Sequence, residues 1–256
     1  MRTEPAIGFF DSGLGGISVL AAAMKALPQE RFLYYGDSAN APYGTKTAEE
    51  VCRLTGAAVQ EMVKDGVKAL VIACNTASGA AAKGLRERYA MPIIALEPAL
   101  KLAHETHGQG TILVMATPLT FENENYKRLF SSYGEHAVSL PCPGLMDFVE
   151  REELESPALD RYLEALFEPF LARDTDAVVL GCTHYLFLRD AIARHLPEGV
   201  RIVDGNGGVV RQLQKKLAEN GLLAPSGAKG DIRLKSSGGR EKAEQMERML
   251  ARALRL

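Results

Sequence analysis

Two kinds of apolar pattern alternate along this chain. The first is short and continuous: Pro5-Ala-Ile-Gly-Phe-Phe10, Arg31-Phe-Leu-Tyr-Tyr-Gly36, Ala69-Leu-Val-Ile-Ala73 and Pro92-Ile-Ile-Ala-Leu96. A compact apolar run bounded by polar residues reads as a strand buried on both faces of a parallel sheet. The second has helical spacing. It predicts helices from about Ile17 to Leu27, from Thr47 through Lys64, and from Thr76 or Ala77 onward. In the second of these Val51, Leu54, Ala58 and Met62 share one face, and Cys52 reads as ordinary packing. Asp37 to Thr45 is polar and aperiodic, hence a loop.

The pattern then starts again. Thr111-Ile-Leu-Val-Met115, His136-Ala-Val-Ser-Leu140, Ala177-Val-Val-Leu180 and Val200-Arg-Ile-Val203 repeat the four strands in order, roughly one hundred residues later. Helical stretches fall between them, one running through Tyr126 and Phe130 and others on either side of Pro157. Self-similarity of this kind predicts an α/β protein of two similar lobes, each a mainly parallel sheet flanked by helices, related by pseudo-twofold symmetry. The expected division is residues 1–97 with 208–256 for the first lobe and 98–207 for the second, with a site in the cleft between them. The last segment, Asp231-Ile-Arg-Leu-Lys235 and a helix with Met246, Leu250 and Leu254 on one face, is expected to return to the first lobe.

Composition narrows the function classes. The 256 residues carry a formal charge of −2, with acids and bases interspersed, which gives no electrostatic case for nucleic acid or an anionic membrane. No uncharged apolar run approaches the ~20 residues that span a bilayer. Asp11 interrupts the first apolar segment, so no cleavable leader is read and a cytoplasmic location is expected. The four cysteines, at 52, 74, 142 and 182, lack Cys-x-x-Cys or zinc-finger spacing, and are expected as thiols.

Two of those cysteines occupy matching places. Ala69-Leu-Val-Ile-Ala-Cys74-Asn-Thr76 and Ala177-Val-Val-Leu-Gly-Cys182-Thr-His184 align without a gap. Each cysteine falls at the carboxyl end of a strand, where open α/β sheets place ligands. A single such cysteine is most simply a small buried hydrophobe. The pair points to one thiol on each side of a bound molecule, one removing a proton and the other returning it, which inverts a stereocentre. A helix N-terminus or nearby cation would lower a thiol toward the thiolate. His184 could exchange protons with Cys182, and Asp11, at the end of the first strand, could do the same for Cys74. Glu150 lies in the acidic run Glu150-Arg-Glu-Glu-Leu-Glu155, which by default is a solvated helix face. Asp11-Ser-Gly-Leu-Gly-Gly16 lacks the spacing of a dinucleotide or phosphate loop; its glycines and helix-start amides suit an anionic group, but the default reading is a tight turn with Asp11 as a local cap.

Phe10-Asp-Ser-Gly-Leu-Gly-Gly16, Tyr35-Gly-Asp-Ser38, Pro42-Tyr-Gly44, Ala73-Cys-Asn-Thr-Ala-Ser78 and Gly181-Cys-Thr-His-Tyr185 together resemble the glutamate racemases, in order and as far as about Asp204. The resemblance implies a cofactor-independent enzyme that interconverts L- and D-glutamate, supplies D-glutamate for peptidoglycan, and is commonly a homodimer. It implies that Cys74 serves the D enantiomer and Cys182 the L enantiomer, assisted by Asp11, His184 and, in Phe148-Val-Glu150, Glu150. It implies substrate binding by Asp11, Ser12, Tyr43, Gly44, Asn75, Thr76, Thr183 and His184, completed by Thr117 and Thr120. No lysine for a Schiff base lies in these motifs. The chain departs from the family at Leu186, where proline is usual, and at Asp204-Gly-Asn-Gly, which bears on local loop shape. Competing readings are an aspartate or other amino-acid racemase, a Cys-His hydrolase with Cys182 as nucleophile, and a non-catalytic two-lobed amino-acid sensor.

Overall fold

The structure, a computed structural model, describes residues 5–106 and 108–256. Residues 1–4, where the expected first lobe and the segment read for a leader begin, and residue 107 lie outside the described residues. The strands are β1 (Ala6–Asp11), β2 (Arg31–Gly36), β3 (Val67–Ile72), β4 (Ile93–Ala95), β5 (Thr111–Ala116), β6 (Ala137–Pro141), β7 (Thr175–Leu180), β8 (Arg201–Val203) and β9 (Asp231–Ser236). The helices are α1 (Ile17–Ala26), α2 (Ala48–Lys64), α3 (Asn75–Arg88), α4 (Leu100–Thr106), α5 (Pro118–Glu122), α6 (Glu124–Tyr133), α7 (Leu145–Glu150), α8 (Pro157–Phe167), α9 (Arg189–Arg194), α10 (Asn206–Glu219) and α11 (Gly239–Ala253).

The strands form two sheets in which every pairing is parallel, ordered β4-β3-β1-β2-β9 and β6-β5-β7-β8. Reversing the second gives β8-β7-β5-β6, the order of β4-β3-β1-β2. The likeness extends to detail, since the register shifts at Ala6/Ile7 between β1 and β3 and at Thr111/Ile112 between β5 and β7. The repeated apolar pattern is therefore a repeated topology. β9 is the addition: it pairs with β2, and α10 and α11 both pack on α1.

Alternate residues along each strand face opposite sides, so each sheet has two buried faces. Phe10, Leu33, Leu70 and Ile72 meet α2 and α3, while Ile112, Val114, Ala177 and Val179 meet Leu100, Ala103 and Tyr126. Ile7, Phe9 and Val71 of the first sheet share one cluster with Leu113, Met115 and Val178 of the second. One core cluster thus contains side chains of both sheets together with those of α1, α7, α8, α10 and α11.

Local chemistry sets the helix starts. Thr47 caps α2 by accepting from the Glu50 amide at 3.2 Å, and Ser156 caps α8, with Pro157 in its first turn. Three details differ from the sequence reading. Cys52 is exposed, because it lies off the Val51–Met62 stripe. Leu254 is 39% exposed just past the end of α11, where Met249 and Ala253 join Met246 and Leu250 in the core. The polar loop after β2 contains two short 3-10 turns, Ser38–Asn40 and Tyr43–Thr45.

Candidate active site

Cys74 stands between β3 and α3 as the helix N-cap, its Sγ 3.5 Å from the Ala77 amide and 3.6 Å from Ser12 Oγ. Cys182 occupies the matching place after β7, before a 3-10 turn over Thr183–Leu188, and its Sγ lies 3.6 Å from His184 Nδ1. Both cysteines line one narrow cavity. The first lobe adds Ser12, Tyr43, Gly44, Asn75 and Thr76 to its wall. The second adds Thr117, Thr120, Thr183 and His184. Thr76, Thr117 and Thr120 form a closed ring of hydroxyls, with Oγ1 separations of 3.1, 3.4 and 2.9 Å. Asn75 Oδ1 is buried with no hydrogen-bond partner in the protein.

Asp11 and Glu150 are brought to the same place but stand behind the wall. Asp11 Oδ1 accepts from the Gly13 amide at 2.8 Å, and Oδ2 accepts from Thr183 Oγ1 at 3.3 Å. The side chain touching Cys74 is Ser12, so Asp11 reaches that thiol through its charge. Glu150 is not on a solvated face: Oε1 lies 2.9 Å from His184 Nε2 and accepts from the Leu14 amide at 2.8 Å. The turn after β1 has the local cap read from its sequence, the Gly13 amide donating to Asp11, and its Leu14 amide takes a second carboxylate, Glu150, from the other lobe. Its glycines allow the close approach this requires. A Cβ on Gly13 would lie 2.0 Å from Glu150 Oε1, and one on Gly15 would lie 2.3 Å from His184 Nδ1.

Burial and charge tune these groups in different directions. Desolvation pushes the Cys74 thiol up to about 12, reinforced by the Asp11 charge and offset only in part by the Ala77 amide. At Cys74 the helix-start amide thus pulls toward the thiolate, but burial outweighs it. Desolvation also raises Asp11, against the pull of His184 and the Gly13 amide. For Glu150 burial works upward but loses to the bond and charge of His184, the Leu14 amide and Lys242, and the carboxyl ends below its ordinary value. His184 goes well above its ordinary value: burial opposes its charge, but Cys182, Glu150 and Asp11 outweigh it. The Gly15 amide also donates to His184 Nε2, at 3.2 Å. The raised His184 and the lowered Glu150 mark the two as a charged pair across their 2.9 Å contact.

Sequence reasoning missed several supporting residues. Buried Asp37 accepts from Tyr43 Oη at 2.6 Å, from Ser237 Oγ at 2.6 Å and from Asn40, fixing the loop that carries Tyr43 and Gly44. Tyr35-Gly-Asp-Ser38 was the available signal. Met146 of α7 also lines the cavity, and nothing in its helical spacing separates it from an ordinary core residue. Leu186 stays within the 3-10 turn that carries Thr183 and His184. Among the described residues all four cysteines are free, and no group of histidine, cysteine and acidic side chains could hold a metal ion.

Comparison with known proteins gives the family. Residues 16–213 match the family model for Asp/Glu/hydantoin racemases. A glutamate racemase of Clostridium perfringens is 48% identical over 229 residues, 88% of each chain. The solved glutamate racemase RacE1 of Bacillus anthracis superposes with a TM-score of 0.86 at 30% identity, covering 96% of this chain and 94% of that one. The Escherichia coli glutamate racemase, solved with L-glutamate and the activator UDP-MurNAc-ala, gives a TM-score of 0.87 at 27% identity over 98% and 96% of the two chains. Similarity at this level over nearly the whole length places the chain in the Asp/Glu/hydantoin racemase family, on its glutamate racemase branch.

Proposed function

We propose that the protein interconverts L- and D-glutamate without a cofactor, using Cys74 and Cys182 as the two proton-transfer groups. The observation that carries this reading is the presence of both thiols on one cavity, each at the carboxyl end of the equivalent strand of its own lobe. In the L-to-D direction Cys182, as a thiolate beside the His184 imidazolium, takes the Cα proton. The electron pair left on carbon delocalises into the α-carboxylate as an enediolate, and the Cys74 thiol delivers its proton to the opposite face. The resulting Cys74 thiolate and Cys182 thiol are the starting state for the reverse reaction. Burial keeps the proton on Cys74 until Cα is deprotonated, and the same burial makes the Cys74 thiolate costly to form. In the D-to-L direction the substrate ammonium offsets that penalty by bringing a positive charge into the cavity.

The threonine ring, Ser12 and the backbone of Tyr43–Gly44 and Thr183 are assigned to the substrate carboxylates, and Asn75 Oδ1 to the ammonium. Donors already in place in a site with little water stabilise the developing charge without reorganisation. Asp11 and the His184–Glu150 pair assist Cys74 and Cys182 respectively. We assign residues 1–97 and 208–256 to the first lobe and 98–207 to the second. The product supplies D-glutamate for peptidoglycan, and the working protein is a cytoplasmic homodimer.

Purified protein incubated with L-glutamate in heavy water, with no cofactor added, should yield D-glutamate carrying deuterium at Cα. Cys74→Ser and Cys182→Ser should each lower racemisation by at least about a hundredfold while the far-ultraviolet circular dichroism is unchanged. Activity that survives either substitution would rule out the two-thiol scheme. Turnover of aspartate at a rate equal to glutamate would reassign the substrate.

A further inference from the structure

The acidic run that ends α7 is gripped by the last helix of the chain. One stripe of α11, at positions 242, 245, 248 and 252, faces the segment from Glu150 to Glu155. Gln245 Nε2 donates to the Glu150 carbonyl at 2.8 Å, and Lys242 Nζ approaches the same oxygen at 3.4 Å. Lys242 Nζ also lies 3.6 Å from Glu150 Oε2 and donates to Gln245 Oε1 at 2.8 Å. Further along, Arg248 holds Glu152 through two bonds of 3.2 and 3.1 Å, and Arg252 stands 3.9 Å from Glu155. α11 itself packs on α1 and β9. It therefore ties the first sheet to the helix that supplies Glu150. Of these contacts only Lys242 and Gln245 touch Glu150. Gln245 is buried, and the Lys242 side chain is about a third exposed.

We propose that Lys242 and Gln245 are positioning residues for the racemisation: Gln245 fixes the main chain of Glu150, and Lys242 fixes the carboxylate and keeps it charged, so that His184 is held protonated toward Cys182. This inference rests on the relay from Glu150 through His184 to Cys182 proposed above. The charged and titratable groups facing Glu150 are Asp11 and Tyr34 from the first sheet, His184 from the turn after β7, and Lys242 from α11. On its own segment Arg151 is engaged with Glu153 at 3.1 Å. Lys242 is thus the cation that acts on Glu150 from outside the relay. Removing it makes proton uptake by Glu150 easier and proton loss by the His184 imidazolium harder. Both limbs of the pH profile must then move to higher pH.

The test is kcat/KM against pH for the full-length protein and the variants Lys242→Met, Lys242→Arg, Arg248→Met and Glu150→Gln. Lys242→Met should displace the acid limb upward by roughly half to one pH unit, below the usual range for an adjacent opposite charge because Lys242 is partly exposed. Lys242→Arg should restore the wild-type profile. Arg248→Met, which breaks the same strap away from Glu150, should lower Tm without moving either limb. If Lys242→Met lowers Tm but leaves the limbs in place, the helix is only a structural strap and the proposal fails. If Glu150→Gln itself leaves the profile and kcat unchanged, the relay is wrong and this inference falls with it. Loss of activity in Glu150→Gln with an unmoved Lys242→Met profile would overturn the positioning role alone.

Discussion

At the residue scale, the site depends on how differently one dry cavity treats its acids. Cys74 and Glu150 are both removed from water, yet one is held neutral and the other charged. Glu150 has a cationic partner and a backbone amide within hydrogen-bond reach, whereas the nearest charge to Cys74 is the carboxylate of Asp11. A thiol held that far above its ordinary value is almost wholly protonated at pH 8. Iodoacetamide at pH 8 should therefore label exposed Cys52 in the ligand-free protein and leave Cys74 unmodified, as read by peptide mass mapping. Rapid alkylation of Cys74 under these conditions would show that its environment is wetter than described.

At the element scale, the turn from β1 into α1 does more than cap a helix. Its Gly13 and Leu14 amides bind Asp11 and Glu150, and the Gly13 carbonyl accepts from buried Tyr34 Oη at 2.7 Å. The absence of a side chain at position 13 is what lets Glu150 close on it from the other lobe. Gly13→Ala should displace that carboxylate and lower kcat/KM by roughly a hundredfold, the usual scale for an ångström of misplacement, with secondary structure retained. Gly56, inside α2 with open space where a Cβ would stand, is the counterpart. Gly56→Ala should stabilise by about 0.5–1 kcal/mol in urea unfolding and leave turnover unaltered. A fully active Gly13→Ala variant would mean that the site does not need Glu150 where it stands.

At the scale of the whole molecule, two copies of one sheet order share a single core. Ile7, Phe9, Leu113, Met115 and Val178 are fully or almost fully buried within one cluster that includes side chains of both sheets, and α11 adds polar ties across the same junction. Such sharing couples the lobes energetically, because exposing one sheet strips apolar cover from the other. Scanning calorimetry should accordingly show one unfolding transition, with calorimetric and van't Hoff enthalpies in agreement. Two resolved transitions would show that the lobes are independent units and that the cleft is free to open widely.

Much of this was legible in the residues. The short apolar runs, the helical spacing of Val51, Leu54, Ala58 and Met62, and the order in which both patterns recur determine two parallel α/β units. The matched Cys74 and Cys182 mark where their ligand-facing ends lie. These are local properties, since a strand buried on both faces and a helix with one apolar stripe announce themselves within a few residues. What only the tertiary structure decided is which groups are neighbours across large sequence distances. It set Glu150 against Leu14 and His184, Asp37 under Tyr43 and against Ser237, and Lys242 and Gln245 on Glu150. It also decided that the Leu14 amide serves a carboxylate from the other lobe, and that burial outweighs the helix N-terminus at Cys74. Charge states in a buried site are fixed by desolvation and by partners from other elements, and neither is encoded in the spacing of a single stretch.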